Sequence, residues 1–484
     1  MGVDIHLPWL PKGARAMKKT IGRRTFLKSG LFGGAALALA PHARVLGAND
    51  DLRVATVGLR SQGSYHVKCL RTLPGVRVAG LCDPDTSVLD REKAKAEKLN
   101  QKVDTYTDVR KLFENKDIDA ITTATPDHWH ALVTIWGCQA GKDVYCEKPL
   151  CHSLWEGRKM IEAAAKHDRI VAFGNQNHGK RTGPMQLEDP KLGKIQVAWA
   201  SLNRGRSSIG KVTGPQKPPT TLDYDLWCGP APKGPLLRKN LHYDWHWVWP
   251  TGTAETGNNG VYPLDALRLA LGQNTLPKRV MSLGGRFLFG DDGTTPNSLV
   301  TIFQYEPGPM VLFELRNLSS KEGPKTLPNR VKWEKGASGY PGVPGTSGDT
   351  GGFKAHTGHL FNFLKAVRSH KKEELRADMT EGHLSTALVH MANIAYRLGT
   401  PQSIGAAMEA VKPRGEEAVE LLTGFQKHLE VNGVDFSKEK MIVSPWLEMD
   451  AEKEQFVGDA DLAAKANALV RRQYREPFVI RDEV

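Results

Sequence analysis

Leu52 to Val57 is an apolar run of strand length that ends on Gly58-Leu59-Arg60-Ser61-Gln62-Gly63. Ser64 to Leu73 then reads as a helix, Val76 to Cys82 as a second apolar strand, and Asp83-Pro84 closes it. Strand, glycine-rich turn, helix, strand and acid in this order is the opening unit of a doubly wound parallel sheet that binds a dinucleotide. Gly58 permits the tight turn, and Gly63 lets helix and strand approach closely. The free N–H groups at the helix start suit a pyrophosphate. Asp83 puts a carboxylate where ribose hydroxyls lie, and its charge repels a 2′-phosphate, so the cofactor expected is NAD and not NADP. One position departs from the pattern. Arg60 stands where the second glycine belongs, and its Cβ hinders close approach of the backbone, whereas its guanidinium can itself contact phosphate.

The alternation continues. Ile118 to Thr125, Lys142 to Cys146 and Ile170 to Gly174 read as further buried strands with helical stretches between them. Repeated strand–helix units predict a parallel sheet with ligands at the strand C-termini. Two motifs fall at such ends. The first is Ala124-Thr125-Pro126-Asp127-His128-Trp129-His130, and the second, about twenty residues on, is Glu147-Lys148-Pro149.

The order of these motifs resembles the Gfo/Idh/MocA oxidoreductases, the glucose–fructose oxidoreductase and inositol dehydrogenase type, over nearly all of residues 51–410. The resemblance implies an α/β protein: an N-terminal Rossmann domain, then an α+β domain on an open, mostly antiparallel sheet. It implies that Lys148 sits by the nicotinamide and assists proton transfer from a substrate hydroxyl, and that Pro149 follows a cis bond. The cofactor-binding set expected is Gly58, Arg60, Gly63, Asp83, Thr125, Pro126, His130, Glu147 and Lys148.

The second domain is expected over residues 173–400, with the Rossmann domain at 49–172. Lys194 to Leu202 has a strand's alternation, and a Gly/Pro-rich excursion follows from Arg204 to Pro235. Next comes the cluster His242, Tyr243, Asp244, Trp245, His246, Trp247 and Trp249. Aromatic faces stack on the apolar side of a sugar while polar tips bond its hydroxyls, so His246 and Trp247 are candidate substrate contacts. The competing reading is an aromatic hinge packed in a core. Gly257 to Asp265 aligns with the family's D-x-G-x-H-x-x-D, which places Asn258, Tyr262 and Asp265 in the substrate site. Tyr262 takes the histidine position. A phenol can relay a proton, and a neighbouring Lys148 would lower its pKa, so Lys148 and Tyr262 form the candidate catalytic pair. The same tyrosine can instead mark altered chemistry.

Later strands are expected near Lys278–Arg286, Ser298–Tyr305 and Met310–Leu315, and a surface loop over Lys325–Gly352. A helix is expected over His356–His370, with His356 and His359 read as structural ahead of functional. Residues 401–484 read as an extension for packing or oligomer contact, and a homo-oligomer is expected.

The first 48 residues are read as a removable leader. Gly22-Arg23-Arg24-Thr25-Phe26-Leu27-Lys28, a short apolar run Leu31–Ala40, and Leu46-Gly47-Ala48 have the layout of a twin-arginine (Tat) export signal. The apolar run is too short to span a bilayer, so no stable membrane anchor is expected. The leader holds eight Lys/Arg against one acid, which is seven of the thirteen net positive charges of the 484-residue chain. The basic balance therefore belongs largely to an address label, not to a nucleic-acid surface. None of the six cysteines forms a C-x-x-C pair, so no metal site is expected.

Tat carries folded proteins, so the expected destination is the periplasm or the exterior, with the export machinery as a partner. Free dinucleotide is scarce there, and a bound cofactor would be recycled in place. Three functions fit. The leading one is hydride transfer to NAD from a secondary hydroxyl of a sugar, glycoside or polyol. The second is hydrolysis of a glycoside through a transient 3-keto sugar. The third is non-catalytic sugar binding with NAD as a structural ligand.

Overall fold

The computed structural model describes residues 51–178, 188–319, 329–335 and 352–484. The expected leader lies outside the described residues, as does most of the 325–352 loop. The described residues belong to one compact unit, Asn49–Val484.

The first sheet is built from β1 (Leu52–Val57), β2 (Val76–Cys82), β3 (Asp104–Tyr106), β4 (Ala120–Thr123), β5 (Asp143–Glu147) and β6 (Val171–Gly174). All pairings are parallel, in the order β3-β2-β1-β4-β5-β6. Strand order reverses between β1 and β4, which opens a crevice at their C-terminal ends. β4, β5 and β6 are buried along their whole length, as strands covered on both faces are, which explains their largely apolar character. The first helix runs Ser61–Leu70, three residues ahead of the expected span, because the Arg60 carbonyl already accepts from Gly63 N at 2.8 Å. Gly58 has φ +80°, and a Cβ there would meet the Ala124 carbonyl oxygen at 2.8 Å. A Cβ on Gly63 would come within 1.6 Å of the Gly58 oxygen. Both glycines therefore serve the close packing read from the sequence.

The second sheet contains β7 (Glu188–Asp189), β8 (Gly193–Asn203), β9 (Arg279–Gly285), β10 (Ser298–Gln304), β11 (Met310–Arg316) and β12 (Arg330–Trp333). The C-terminal segment adds β13 (Thr400–Gln402), β14 (Met441–Val443), β15 (Leu447–Asp450) and β16 (Gln455–Val457). The main order is β12-β8-β11-β10-β9-β14-β13, antiparallel except for β8 beside β11. Two expectations are corrected here. Part of the 325–352 loop is strand: Val331 and Trp333 are buried while Arg330 and Lys332 are partly exposed, an alternation that suits a sheet edge. Residue 400 does not end the second sheet either, since β14 and β15 both pair with β9. Phe478 and Ile480 lie in the main core, so the 401–484 segment is integral to it.

The helix Val261–Ala270 packs on β8, and the helix Met379–Leu398 packs on β9 and against Leu154–Lys166 of the Rossmann half. Among the described residues, no helix is long and apolar enough to cross a membrane.

Candidate active site

A cavity of about 690 Å³ opens at the β1/β4 crevice and extends to the second domain. Its Rossmann wall includes Gly58, Arg60, Asp83, Thr125, Pro126, His130, Glu147 and Lys148. Of the expected cofactor set only Gly63 stays off the wall, as its packing role requires. No side chain caps the first turn of Ser61–Leu70, and with Gly63 N bonded to the Arg60 carbonyl it is the Ser61 and Gln62 N–H groups that can meet a ligand. Asp83 Oδ2 accepts from Leu59 N at 2.8 Å and Oδ1 from Asp85 N at 3.0 Å, which ties the glycine-rich turn to the end of β2. Burial pushes the Asp83 carboxyl up to about 6, against the pull of those two bonds. A glycine that clashes if given a Cβ, an uncapped helix end and an acid at the β2 terminus suit an NAD.

Glu147 is buried in the cavity floor. Its Oε1 faces His66 Nε2 at 2.9 Å and accepts from Gln62 Nε2 at 2.8 Å, and its Oε2 accepts from Lys148 N at 3.2 Å. Burial alone would raise this carboxyl. The bond and charge of His66, with Lys148, overcome it and hold Glu147 down to about 2. His130 joins two loops, with Nδ1 2.7 Å from the Pro149 carbonyl and Nε2 3.0 Å from that of Thr125. The Lys148–Pro149 bond is cis.

Lys148 reaches across to the second domain. Its Nζ donates to the Asn258 carbonyl at 2.5 Å and to Asn258 Oδ1 at 3.4 Å. It stands 5.1 Å from the centre of the Tyr262 ring. The contact is thus an ammonium over an aromatic face, not a lysine beside a phenolate oxygen. The expected drop in the Tyr262 pKa is also corrected. Burial raises it, and the field of Lys148 offsets this only in part. Tyr262 is a neutral phenol at neutral pH and can act as a donor.

Asn258 sits in a π-helical turn, Thr256–Gly260, at the head of Val261–Ala270. The fully buried Glu255 anchors that turn, accepting from Asn258 Nδ2 at 3.2 Å, Asn259 Nδ2 at 2.5 Å and Arg206 Nη2 at 2.8 Å. Sequence reading missed Glu255 and Arg206, and nothing local to either marks a pairing across 49 residues. Asp127 was missed as a site residue too. It is buried and accepts from Thr253 Oγ1 at 2.6 Å, joining the Thr125-Pro126 loop to the second domain.

His246 lines the cavity with Tyr243, Trp245, Asn258 and Tyr262. Its ring stacks on Trp245 at 3.5 Å, and Nδ1 lies 2.6 Å from the Tyr243 carbonyl. Enclosure pushes its pKa down to about 3, so the imidazole is neutral, with Nδ1–H donating and Nε2 left as the acceptor. Two expected substrate contacts are corrected. Trp247 is buried under the Arg206 guanidinium at 5.3 Å and does not line the cavity. Asp265 is also off the wall. It holds His178 Nδ1 at 2.9 Å and accepts from Asn175 Nδ2 at 2.8 Å and Ser385 Oγ at 2.6 Å. Its carboxylate is consumed in fastening the helix to the Rossmann half. His356 does line the cavity, whereas His359 is buried with Nδ1 3.0 Å from the Tyr145 hydroxyl. All six cysteines are free and buried.

Comparison with known proteins bears on this geometry. A glycosyl hydrolase family 109 protein of Shewanella sp. strain W3-18-1 is 31% identical over 137 residues, which is 27% of this chain and 30% of that protein. The 2,7-anhydro-N-acetylneuraminate hydratase of Mediterraneibacter gnavus is 27% identical over 152 residues, covering 31% of this chain and 39% of that one. The aligned part is therefore well under half of either relative. Among solved structures, the WlbA dehydrogenase from Bordetella pertussis, in complex with NADH and UDP-GlcNAcA, superposes with a TM-score of 0.51 at 16% identity. That match covers 72% of this chain and 96% of the other. An oxidoreductase domain protein from Kribbella flavida gives 0.50 at 17% identity, over 70% and 95%. These two likenesses speak to the fold. Residues 52–175 match the oxidoreductase family's NAD-binding Rossmann fold and residues 196–422 its C-terminal alpha/beta domain, so the chain belongs to the Gfo/Idh/MocA family of NAD-binding oxidoreductases.

Proposed function

We propose that this enzyme removes hydride from a secondary hydroxyl carbon of a sugar, glycoside or polyol, with NAD as the acceptor. The observation that carries the reading is the position of Lys148 Nζ, which lies where the cofactor wall meets the second domain and is held by Asn258. NAD, when bound, supplies the hydride acceptor. The chain's own residues do the rest. Lys148, in its amine form, takes the hydroxyl proton as the carbon gives up hydride, and the Asn258 carbonyl and the Tyr262 ring hold the ammonium that results. Asn258 orients the ammonium. The neutral His246 offers an acceptor to a substrate hydroxyl, and Trp245 and Tyr243 present aromatic surface to its apolar face.

A second reading has its own support. Relatives named as glycosyl hydrolase family 109 proteins align with part of this oxidoreductase-family chain, and an enzyme that oxidises, eliminates, hydrates and reduces would hydrolyse with no net redox change. The twin-arginine leader supports retention of cofactor under either reading, because an exported enzyme has little free dinucleotide to exchange. The deciding experiment is incubation with a panel of sugars and glycosides, followed by product analysis. Oxidised sugar with reduced cofactor supports the dehydrogenase, and released aglycone with no net reduction supports the hydrolase. No product from any member of the panel overturns both.

A further inference from the structure

The Gly/Pro-rich excursion after β8 does more than carry aromatic residues to the cavity. At residues 221–223 it forms an antiparallel bridge with residues 84–86, immediately after Asp83. Thr86 N donates to the Thr221 carbonyl at 2.9 Å, and Asp223 N donates to the Pro84 carbonyl at 3.0 Å. The Thr221 hydroxyl donates to Asp85 Oδ1 at 2.8 Å, and His242 Nε2 lies 3.1 Å from Asp85 Oδ2. Asp85 is 2% exposed while Thr86, Thr221 and Asp223 are exposed, so the joint is buried on the Asp85 side.

A second fastening holds the same segment a few residues on. Trp129 Nε1 donates to the Trp227 carbonyl at 3.0 Å. Arg475, from the C-terminal segment, donates to Asp225 Oδ1 at 3.0 Å, to the Asp225 carbonyl at 2.8 Å and to the Gly229 carbonyl at 3.2 Å. Leu226, Trp227 and His242 line the same cavity as Gly58, Arg60 and Asp83. A dinucleotide lying along the Rossmann wall would therefore share its cavity with a segment of the other domain that is pinned at 221–223, at 225–229 and, through His242, again at Asp85.

We infer that the segment 219–245, the end of the excursion and the start of the aromatic cluster after it, is a clasp that must unfasten from Asp85 and Arg475 before NAD can leave or bind. The clasp rests on the NAD-dependent reading above and supplies the means by which a recycled cofactor stays in place. Thr221 and Arg475 are positioning residues, and neither lines the cavity. This separates a gate from a mere contact. Loosening a gate speeds exit and capture together, whereas losing a cofactor contact speeds exit alone and weakens affinity by the same factor.

The test follows the fluorescence of NADH on full-length protein, released by excess NAD and recaptured by nucleotide-free protein. Thr221→Val and Arg475→Gln should each raise both rates roughly ten- to hundredfold, the loss expected for hydrogen bonds to charged groups. Thr221→Ser keeps the hydroxyl and should release at the native rate. Unaltered rates in both variants overturn the clasp, as does faster release with unaltered capture, or a Thr221→Ser protein as fast as Thr221→Val. The two variants sit on different elements, so either decides alone if the other fails to fold. If neither folds, amide exchange over 219–229 in the native protein decides. Protection that rises with NAD supports the clasp, and unchanged protection overturns it. Failure of the native protein to bind NADH would overturn the oxidoreductase reading itself.

Discussion

Replacing His66 with Leu removes the partner of a carboxylate that is 4% exposed. His66 Nε2 stands 2.9 Å from Glu147 Oε1, and the pair holds Glu147 down to about 2. An unperturbed glutamate titrates near ~4.3, so the difference of about two units corresponds to about 3 kcal/mol. Breaking a buried pair from one side costs a similar amount, roughly 3–5 kcal/mol. Unfolding entropy for Asn49–Val484 is of the order of 0.9 kcal/mol/K, so His66→Leu should lower the thermal midpoint at pH 7 by about 3 °C. The sign with pH follows from a depressed acid. Stabilisation is complete above the unfolded value near ~4.3 and is lost as pH falls toward about 2. Calorimetry of native and His66→Leu protein between pH 7 and pH 3 should show the gap narrowing below about pH 4.5. Replacing both residues, as His66→Leu with Glu147→Leu, should recover part of the loss because no charge is left stranded. A His66→Leu protein that melts with the native one at pH 7 would refute the reasoning, as would a gap that widens on acidification.

Three further outcomes are expected. Lys148→Ala should cut turnover by about 10²–10⁴ with NADH binding retained, while Tyr262→Phe, which keeps the ring under the ammonium, should lose only about tenfold; steady-state kinetics and NADH fluorescence titration check both. Asp83→Ala should weaken NAD binding more than NADP binding, and NAD affinity of the native protein should fall as pH drops through about 6, where the carboxyl takes a proton; tighter NADP binding by the native chain would contradict this. Changing Arg23 and Arg24 to Lys should retain precursor in the cytoplasm, read by fractionation and immunoblot, and normal export of that variant would sink the export reading.

What the amino-acid order determined is local. Gly58, Gly63 and Asp83 announce the dinucleotide turn because turn geometry, packing distance and charge act within one strand–helix–strand unit. The apolar run before Glu147-Lys148-Pro149 placed Lys148 at a strand end, its role came from the family resemblance, and the parallel sheet is legible because strands buried on both faces are largely apolar. The tertiary structure decided what depends on partners distant in sequence. Asp265 had the spacing of a site residue, yet its carboxylate is spent on His178 and Ser385, 87 and 120 residues away. Trp247 had the composition of a sugar contact, yet Arg206 and Glu255 hold it below the wall. The phenol of Tyr262 was expected to fall in pKa because sequence shows the nearby cation but not the burial that outweighs it. The segment beyond residue 400 carried no sheet signal strong enough to read, because its strands are three or four residues long and gain their stability only from pairing with β9. Local rules act through neighbours in the chain. Burial, ion pairing and strand addition act through neighbours in space, and only the folded chain specifies which those are.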